Sequence, residues 1–171
     1  MTTKLTNALL EEIEQEALAT GKLLDRIPED KLGWRPHPKS MSLGELALHV
    51  ATIPAALAAA LQAGGAAAAD LLTHPAASTV AEIQTAWRKS MAFLRENEIP
   101  VSEGNWSVRH EGKVVLTLPK AAVSRFLMLN HWYQHRGQFS VYLRLLDIPV
   151  PASWGPSADE RAVFQREPQM A

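Results

Sequence analysis

The stretch from Ser124 to Leu145 reads SRFLMLNHWYQHRGQFSVYLRL. Residues spaced alternately four and three apart form one seam in it, which comprises Ser124, Met128, His131, His135, Gln138, Tyr142 and Leu145. Since residues three or four apart on a helix lie one above the other, the pattern predicts one amphipathic helix with two histidines on its inward side. We place this helix from about Pro119 to Asp147, because proline fits the first turn of a helix.

Three further helical patterns precede this one. The first covers residues 3–27, where apolar residues recur mostly every three or four positions, and Pro28 ends it. The second and third open on capping boxes, Ser42-Leu-Gly-Glu45 and Thr79-Val-Ala-Glu82, whose side chains satisfy free amides at the start of the helix. Pro54 lies inside the second pattern and predicts a kink there.

The segments between the helices carry turn signals. Residues 64–75 form a connector that opens on two glycines and includes a short helix at about 66–72. Apolar and polar residues alternate on both sides of Glu111-Gly112, which predicts a small hairpin within Asn105–Thr117. The four long helices predict an all-α fold, a four-helix bundle with a small hairpin insertion before the last helix.

The composition fits a soluble domain. With 47% hydrophobic and 20% charged residues, the 171-residue chain is predicted to form one domain over residues 1–171, in which 158–171 are a flexible tail. The net charge is -1 without a basic stripe, so we expect no nucleic-acid partner. The most apolar stretch, Leu46–Ala69, is interrupted by proline and glycine, so we expect no membrane span and a cytoplasmic protein.

The absence of cysteine narrows the chemistry. No cysteine occurs in the chain, which excludes disulfides, thiolate metal ligands and a cysteine nucleophile. Any protein ligand to a metal must therefore offer nitrogen or oxygen.

Histidines supply the candidate metal ligands. His131 and His135 are one turn apart, with Cβ atoms about 6 Å from each other, so both rings can reach one ion. His49, on the buried stripe of the second helix, is the natural third ligand. Three buried imidazoles without a partner are costly to desolvate, so the pattern favours one bound divalent transition metal. The structural alternative is a set of buried histidines held by backbone carbonyls. His37, His74 and His110 lie in loops or at the hairpin turn and are predicted to be solvated.

Two stretches resemble the DinB-like (damage-inducible) family. One is HWYQHRGQFSVYLRLL from His131, followed by Ile148-Pro-Val-Pro and Trp154-Gly-Pro-Ser-Ala-Asp-Glu. The other is WRPHPKSMSLGELALH, from Trp34 to His49. Both occur in the family's order and separation, and the resemblance covers essentially the whole chain.

The resemblance implies a four-helix bundle with a three-histidine metal site and a tendency to form homodimers. His49, His131 and His135 fall at the family's ligand positions, and zinc or nickel is the implied metal. Many relatives carry a second histidine just before the last ligand, where this chain has Gln134, a position that is not a ligand. Relatives with known activity are thiol-dependent transferases or isomerases that use low-molecular-weight thiols.

A three-histidine site with free positions is typical of catalytic rather than structural zinc. Our hypothesis is that the metal deprotonates a small thiol substrate, which then attacks an electrophile. Gln138 and Tyr142, on the same seam, are predicted to orient the substrate, unless they are satisfied buried polar groups. Glu16 is a weaker candidate for supporting a ligand imidazole, and Arg136 is predicted to be structural or at an interface. A second apolar stripe on the last helix either packs in the core or forms a dimer contact, and it comprises Leu129, Trp132, Phe139, Leu143 and Leu146.

Three alternatives stay open. A non-enzymatic metal-binding or stress-response scaffold would close the site with a fourth protein ligand or by packing. A haem or di-iron bundle is disfavoured, because the Glu-x-x-His pairs of di-iron bundles do not occur here. A purely structural bundle would use the three histidines for packing alone.

Overall fold

The computed structural model describes residues 4–101 and 103–160, with side chains from Thr6 onward. Its helices are α1 (Lys4–Leu24), α2 (Leu43–Ala63), α3 (Ala68–Leu72), α4 (Val80–Glu96), α5 (Lys120–Ala122) and α6 (His131–Leu145). A 3-10 turn covers Glu29–Lys31, and a π-helix covers Val123–Asn130 between α5 and α6. The strands are β1 (Gly65–Ala67), β2 (Asn105–His110) and β3 (Lys113–Pro119).

Helix α2 lies at the centre of the packing. It contacts α4, the π-helix, α6 and β1, while α1 packs against α4 and α6. The largest fully buried side chains come from several of these elements and include Leu24, Leu46, Leu61, Ile83, Trp106, Trp132 and Phe139. The predicted predominance of helix is therefore confirmed, but α3 and a three-stranded sheet make the fold more than a simple four-helix bundle.

The predicted cap of α2 is confirmed. The Ser42 hydroxyl accepts from the Glu45 amide at 3.2 Å, and the Glu45 carboxylate accepts from the Ser42 amide. At α4 the Thr79 hydroxyl accepts from the Glu82 amide, but the Glu82 carboxylate accepts from the Ser78 amide instead of the Thr79 amide. The second capping box is therefore only half formed as predicted.

Pro54 creates a tie between α2 and α6. A helix pairs the carbonyl of residue 50 with the amide of residue 54, and proline has no amide hydrogen. The indole Nε1 of Trp132 donates to the Val50 carbonyl at 3.0 Å and takes the place of the missing donor. The side chains of Trp132 and Val50 are fully buried. Because Trp132 follows His131 directly, this bond fixes α6 against α2 beside the two histidines of the last helix.

The connector after α2 contains the predicted short helix as α3, but also a strand that the sequence did not indicate. Gly64 adopts φ 74° at the end of α2, a left-handed conformation that favours glycine. Residues 65–67 then form β1, which pairs in parallel with β2 through Gly65 and Ser107. A Cβ on Gly65 would lie 2.4 Å from the Ser107 carbonyl oxygen, so only glycine allows this approach. The expected two-stranded hairpin is thus part of a three-stranded sheet, in the order β1-β2-β3.

The hairpin and the last helix follow the prediction in part. β2 and β3 are antiparallel, and the turn lies at Glu111 and Gly112, which adopt φ 48° and 78°. The predicted helix from Pro119 to Asp147 is not a regular α-helix, because the π-helix Val123–Asn130 precedes α6. The helix is thus wider directly before His131, the first histidine of the pair. π-Helical turns within longer helices often mark functional sites.

The segment after α6 folds back over the helices. Asp159 forms an ion pair with Arg144, and its carboxylate accepts from the Val150 amide at 2.8 Å. Glu160 forms an ion pair with Arg26 at 2.9 Å. The tail predicted over 158–171 is thus anchored in its first residues, and 161–171 lie outside the described residues.

Helix α2 is long and apolar enough to cross a membrane by length and composition alone. Half of its most apolar window is buried among the other elements, as is typical of a core helix. This is weak evidence for a membrane span.

Candidate metal centre

Three histidines from two helices converge at one point. His49, His131 and His135 each offer one imidazole nitrogen, and these three nitrogens lie within 4.8 Å of one another. Nε2 of His49 and Nε2 of His131 are 3.4 Å apart. All three side chains are half-buried. The structure therefore brings together the three residues predicted as metal ligands.

Neighbouring groups hold the two rings of α6. Nδ1 of His135 lies 2.9 Å from Oε1 of Gln138 and donates to it, since an amide oxygen only accepts. Its Nε2 is therefore left without a proton and free to coordinate. The ring of His131 is hydrogen-bonded to the backbone of Leu127, one turn earlier. Such outer contacts are how proteins fix the tautomer and orientation of metal-binding histidines.

The spacing fits a divalent transition metal. Two nitrogens bound at about 2.1 Å to one tetrahedral ion are about 3.4 Å apart. Nε2 of His49 and Nε2 of His131 show this separation. Two unprotonated nitrogens at this distance repel each other, and a shared proton or a cation relieves the repulsion. The donor set is neutral nitrogen, which suits zinc, nickel, copper and iron rather than calcium or magnesium.

The environment keeps these imidazoles neutral. Burial, followed by the nearby histidines, lowers the pKa of His49 from 6.5 to about 3. Burial is also the main cause that lowers the pKa of His131 and of His135. Neutral imidazole is the form that binds a metal, so coordination costs little proton release at neutral pH.

We expect the metal-free protein to lose stability in mild acid. His49 binds a proton at about pH 6.5 in the unfolded chain but only near pH 3 in the folded one. The free energy of unfolding is therefore unaffected by His49 above pH 6.5 and falls as the pH drops from 6.5 towards 3. Urea unfolding from about pH 7 to about pH 4 should show a flatter decline for His49→Gln than for wild type. The exposed His37→Gln is the control, and equal slopes in all three proteins would contradict the prediction.

A pocket opens beside the histidines. It has a volume of about 590 Å³, and its lining includes residues of α2, β1, α3 and the π-helix, together with His49 and His131. Most of its lining is apolar, including Ile53, Ala59 and Leu127. The volume lies in the range of small-molecule sites.

The other predicted site residues lie outside this pocket lining. Gln138 is exposed and contacts His135. Tyr142 is buried, its hydroxyl donates to the Met41 carbonyl at 3.1 Å, and its ring meets Trp34 edge-on. The Tyr142 contact matches the alternative of a satisfied buried polar group, whereas Gln138 has a partner but is exposed. Substrate contact by either residue stays a prediction.

Glu16 and Arg136 pair with each other. The Arg136 guanidinium forms a largely buried ion pair with Glu16 and lies 5.2 Å from the ring centre of Tyr133. The Glu16 carboxylate also accepts from Trp154 Nε1 at 2.9 Å. Its observed partners are thus Arg136 and Trp154, which join α1 to α6 and to the C-terminal segment. Trp154 is 65% exposed, so its side chain is tied to α1 by this hydrogen bond rather than by burial.

His74 is the site neighbour that the sequence did not indicate. Its ring centre lies 4.7 Å from that of His49, with the planes at 79°. The prediction of a solvated histidine is right about its exposure but misses this contact. A histidine before a proline in a connector carries no periodic signal, so only the folded chain places it here.

The helical fold, and the three imidazoles that converge beside an open pocket, define the chain as a helical protein with a candidate metal centre. The chain belongs to the DinB family, whose model matches residues 1–168. Family membership and the histidine cluster fit metal binding.

Solved structures share the fold. A DinB-like protein from Bacillus cereus is 22% identical and superposes with a TM-score of 0.63 over 85% of this chain and 95% of its own. A DinB-like protein from Bacillus subtilis is 20% identical, with a TM-score of 0.62 over 85% of this chain and 96% of its own. At these identities the likeness shows the fold alone. No curated protein matches the sequence.

Proposed function

We propose that the protein is a metal-dependent enzyme that activates a small thiol for transfer to an electrophile. One divalent ion, Zn²⁺ or Ni²⁺, would be held by His49, His131 and His135. The observation that carries the proposal is the convergence of three neutral imidazoles, two of which, His49 and His131, line an open pocket.

A divalent ion at this position supplies Lewis acidity, which lowers the pKa of a bound water or thiol into the neutral range. Because the chain has no cysteine, a thiolate nucleophile has to come from the substrate. The thiol would give its proton to solvent, and its sulfur would bond to the electrophilic carbon while the leaving group departs with its electron pair. His49, His131 and His135 stay unchanged through this exchange.

The pocket indicates what the electrophile looks like. Its wall on α2 is built from small and aliphatic side chains, and the Thr52 hydroxyl is already bonded to the Leu48 carbonyl at 2.8 Å. Asp70, at the outer rim, is the acidic residue of the lining. Such a wall favours an apolar group of moderate size, held by burial rather than by hydrogen bonds.

We expect Ala59→Phe to separate substrate binding from metal binding. Ala59 lines the pocket with an exposed side chain, so phenylalanine would fill the space without reaching the core. Cobalt-loaded wild type should develop a sulfur-to-cobalt absorption band when a small thiol such as 2-mercaptoethanol is added. With an aryl halide as second substrate, it should also form the thioether. Ala59→Phe should bind cobalt normally and form thioether more slowly.

The matched control is Ala69→Phe, an exposed alanine outside the pocket lining. It should behave as wild type. Cobalt binding without any thiol band would contradict the enzyme and favour the metal-binding scaffold.

A homodimer stays a prediction. In the stripe named as a possible contact, Leu129, Trp132, Phe139 and Leu143 are buried within the chain and are not available to a partner. The exposed apolar residues of the last helical segment are Phe126, Val141 and Leu145. A dimer interface on this segment would have to use them.

A further inference from the structure

The connector between α3 and α4 brings a fourth imidazole to the histidine cluster. The ring centres of His49, His131 and His135 lie 4.5 to 5.2 Å from one another, and that of His74 lies 4.7 Å from His49. His74 is therefore as close to His49 as the three ligand rings are to each other. Its nitrogens fall outside the group that lies within 4.8 Å, so its ring must move to share an ion.

The position of His74 also allows movement. Its side chain is exposed, and the residues on both sides of it, Thr73 and Pro75, line the pocket. The Thr73 hydroxyl donates to the Ala69 carbonyl at 2.9 Å and anchors the connector to α3. His74 thus lies beside His49, between two residues of the pocket lining, on irregular backbone that follows directly after α3.

We propose that His74 is a fourth, exchangeable nitrogen ligand of the metal, bound in the substrate-free protein and displaced when a thiol enters. Four nitrogen ligands complete the tetrahedral shell that zinc prefers, and three leave a position for substrate. The inference rests on the metal site of the proposed function. It differs from the closed scaffold site because the fourth ligand comes from an exposed connector and not from a packed helix.

The test uses tag-free full-length protein labelled with ¹⁵N and loaded with Zn²⁺. Long-range ¹H–¹⁵N correlation spectra distinguish metal-bound imidazole nitrogens from free and protonated ones. We expect four histidines with a metal-bound nitrogen, and the signals of His74 should return to the free form when 2-mercaptoethanol is added. Three metal-bound histidines without His74, or a His74 that stays bound at saturating thiol, would overturn the inference. Zinc that binds none of the histidines would overturn the proposed function itself.

A variant pair gives a second readout. His74→Ala should weaken zinc binding by about tenfold or more in a competition titration with a chromogenic chelator, the scale on which even supporting groups of metal sites act. His37→Ala, an exposed histidine that follows a proline, should bind zinc as wild type does. Equal affinities of His74→Ala and wild type would contradict a ligand role for His74.

Discussion

The His131→Ala variant is expected to lose more than about 100-fold in zinc affinity, since even the loss of a supporting group costs up to that much. Nε2 of His131 lies 3.4 Å from Nε2 of His49, and His131 is the first residue of α6. Without it, two imidazoles from different helices are left, and the ion loses one of its three protein ligands. Competition titration of tag-free protein against a chromogenic chelator measures the change.

His110→Ala is the matched control for this variant, because His110 is exposed at the end of β2. It should leave zinc affinity unchanged. Circular dichroism of the metal-free His131→Ala protein should match that of wild type, which separates loss of a ligand from loss of the fold. A His131→Ala protein that is folded and binds zinc as tightly as wild type would contradict the three-histidine site.

Trp132→Phe is expected to lower the free energy of unfolding by about 1–3 kcal/mol through the unpaired Val50 carbonyl alone. The substitution keeps an aromatic ring but removes the indole N–H that donates to this carbonyl. The smaller ring adds a packing loss, so the total loss will exceed the hydrogen-bond part. Urea unfolding of metal-free protein measures it.

The background variant Pro54→Ala isolates the hydrogen bond. Alanine at position 54 restores the amide that an α-helix directs at the Val50 carbonyl, so this carbonyl keeps a donor when Trp132 is replaced. Trp132→Phe should therefore cost less in the Pro54→Ala background than in wild type, by about the hydrogen-bond contribution. Equal costs in the two backgrounds would show that the Trp132–Val50 bond does not replace the missing helix bond.

The parts of the fold that follow local rules could be predicted from the sequence. Ser42 and Glu45 cap α2 because a short polar pair at this spacing meets the free amides of a first turn, whatever packs around it. His131 and His135 share one side of α6 because helix geometry places residues four apart together. His49 can be predicted as the third metal ligand from its place on the apolar stripe of α2. This prediction assumes only that the stripe faces the last helix.

The parts that depend on distant contacts could not be predicted. Gly65 pairs with Ser107 across more than forty residues, and nothing in the local sequence of the connector specifies a strand. The π-helix Val123–Asn130 has the same apolar periodicity as an α-helix over its short length. Tyr142 shares the seam of the histidines, but its partner, the Met41 carbonyl, is 101 residues away in the sequence and decides where its hydroxyl points.

The measurement that tests the metal centre most directly is anomalous X-ray diffraction at the zinc absorption edge, from crystals of tag-free protein loaded with zinc. The account predicts one strong peak per chain, about 2.1 Å from a nitrogen of each of His49, His131 and His135. Density elsewhere on the chain with these three rings empty, or no ordered zinc at all, would contradict it.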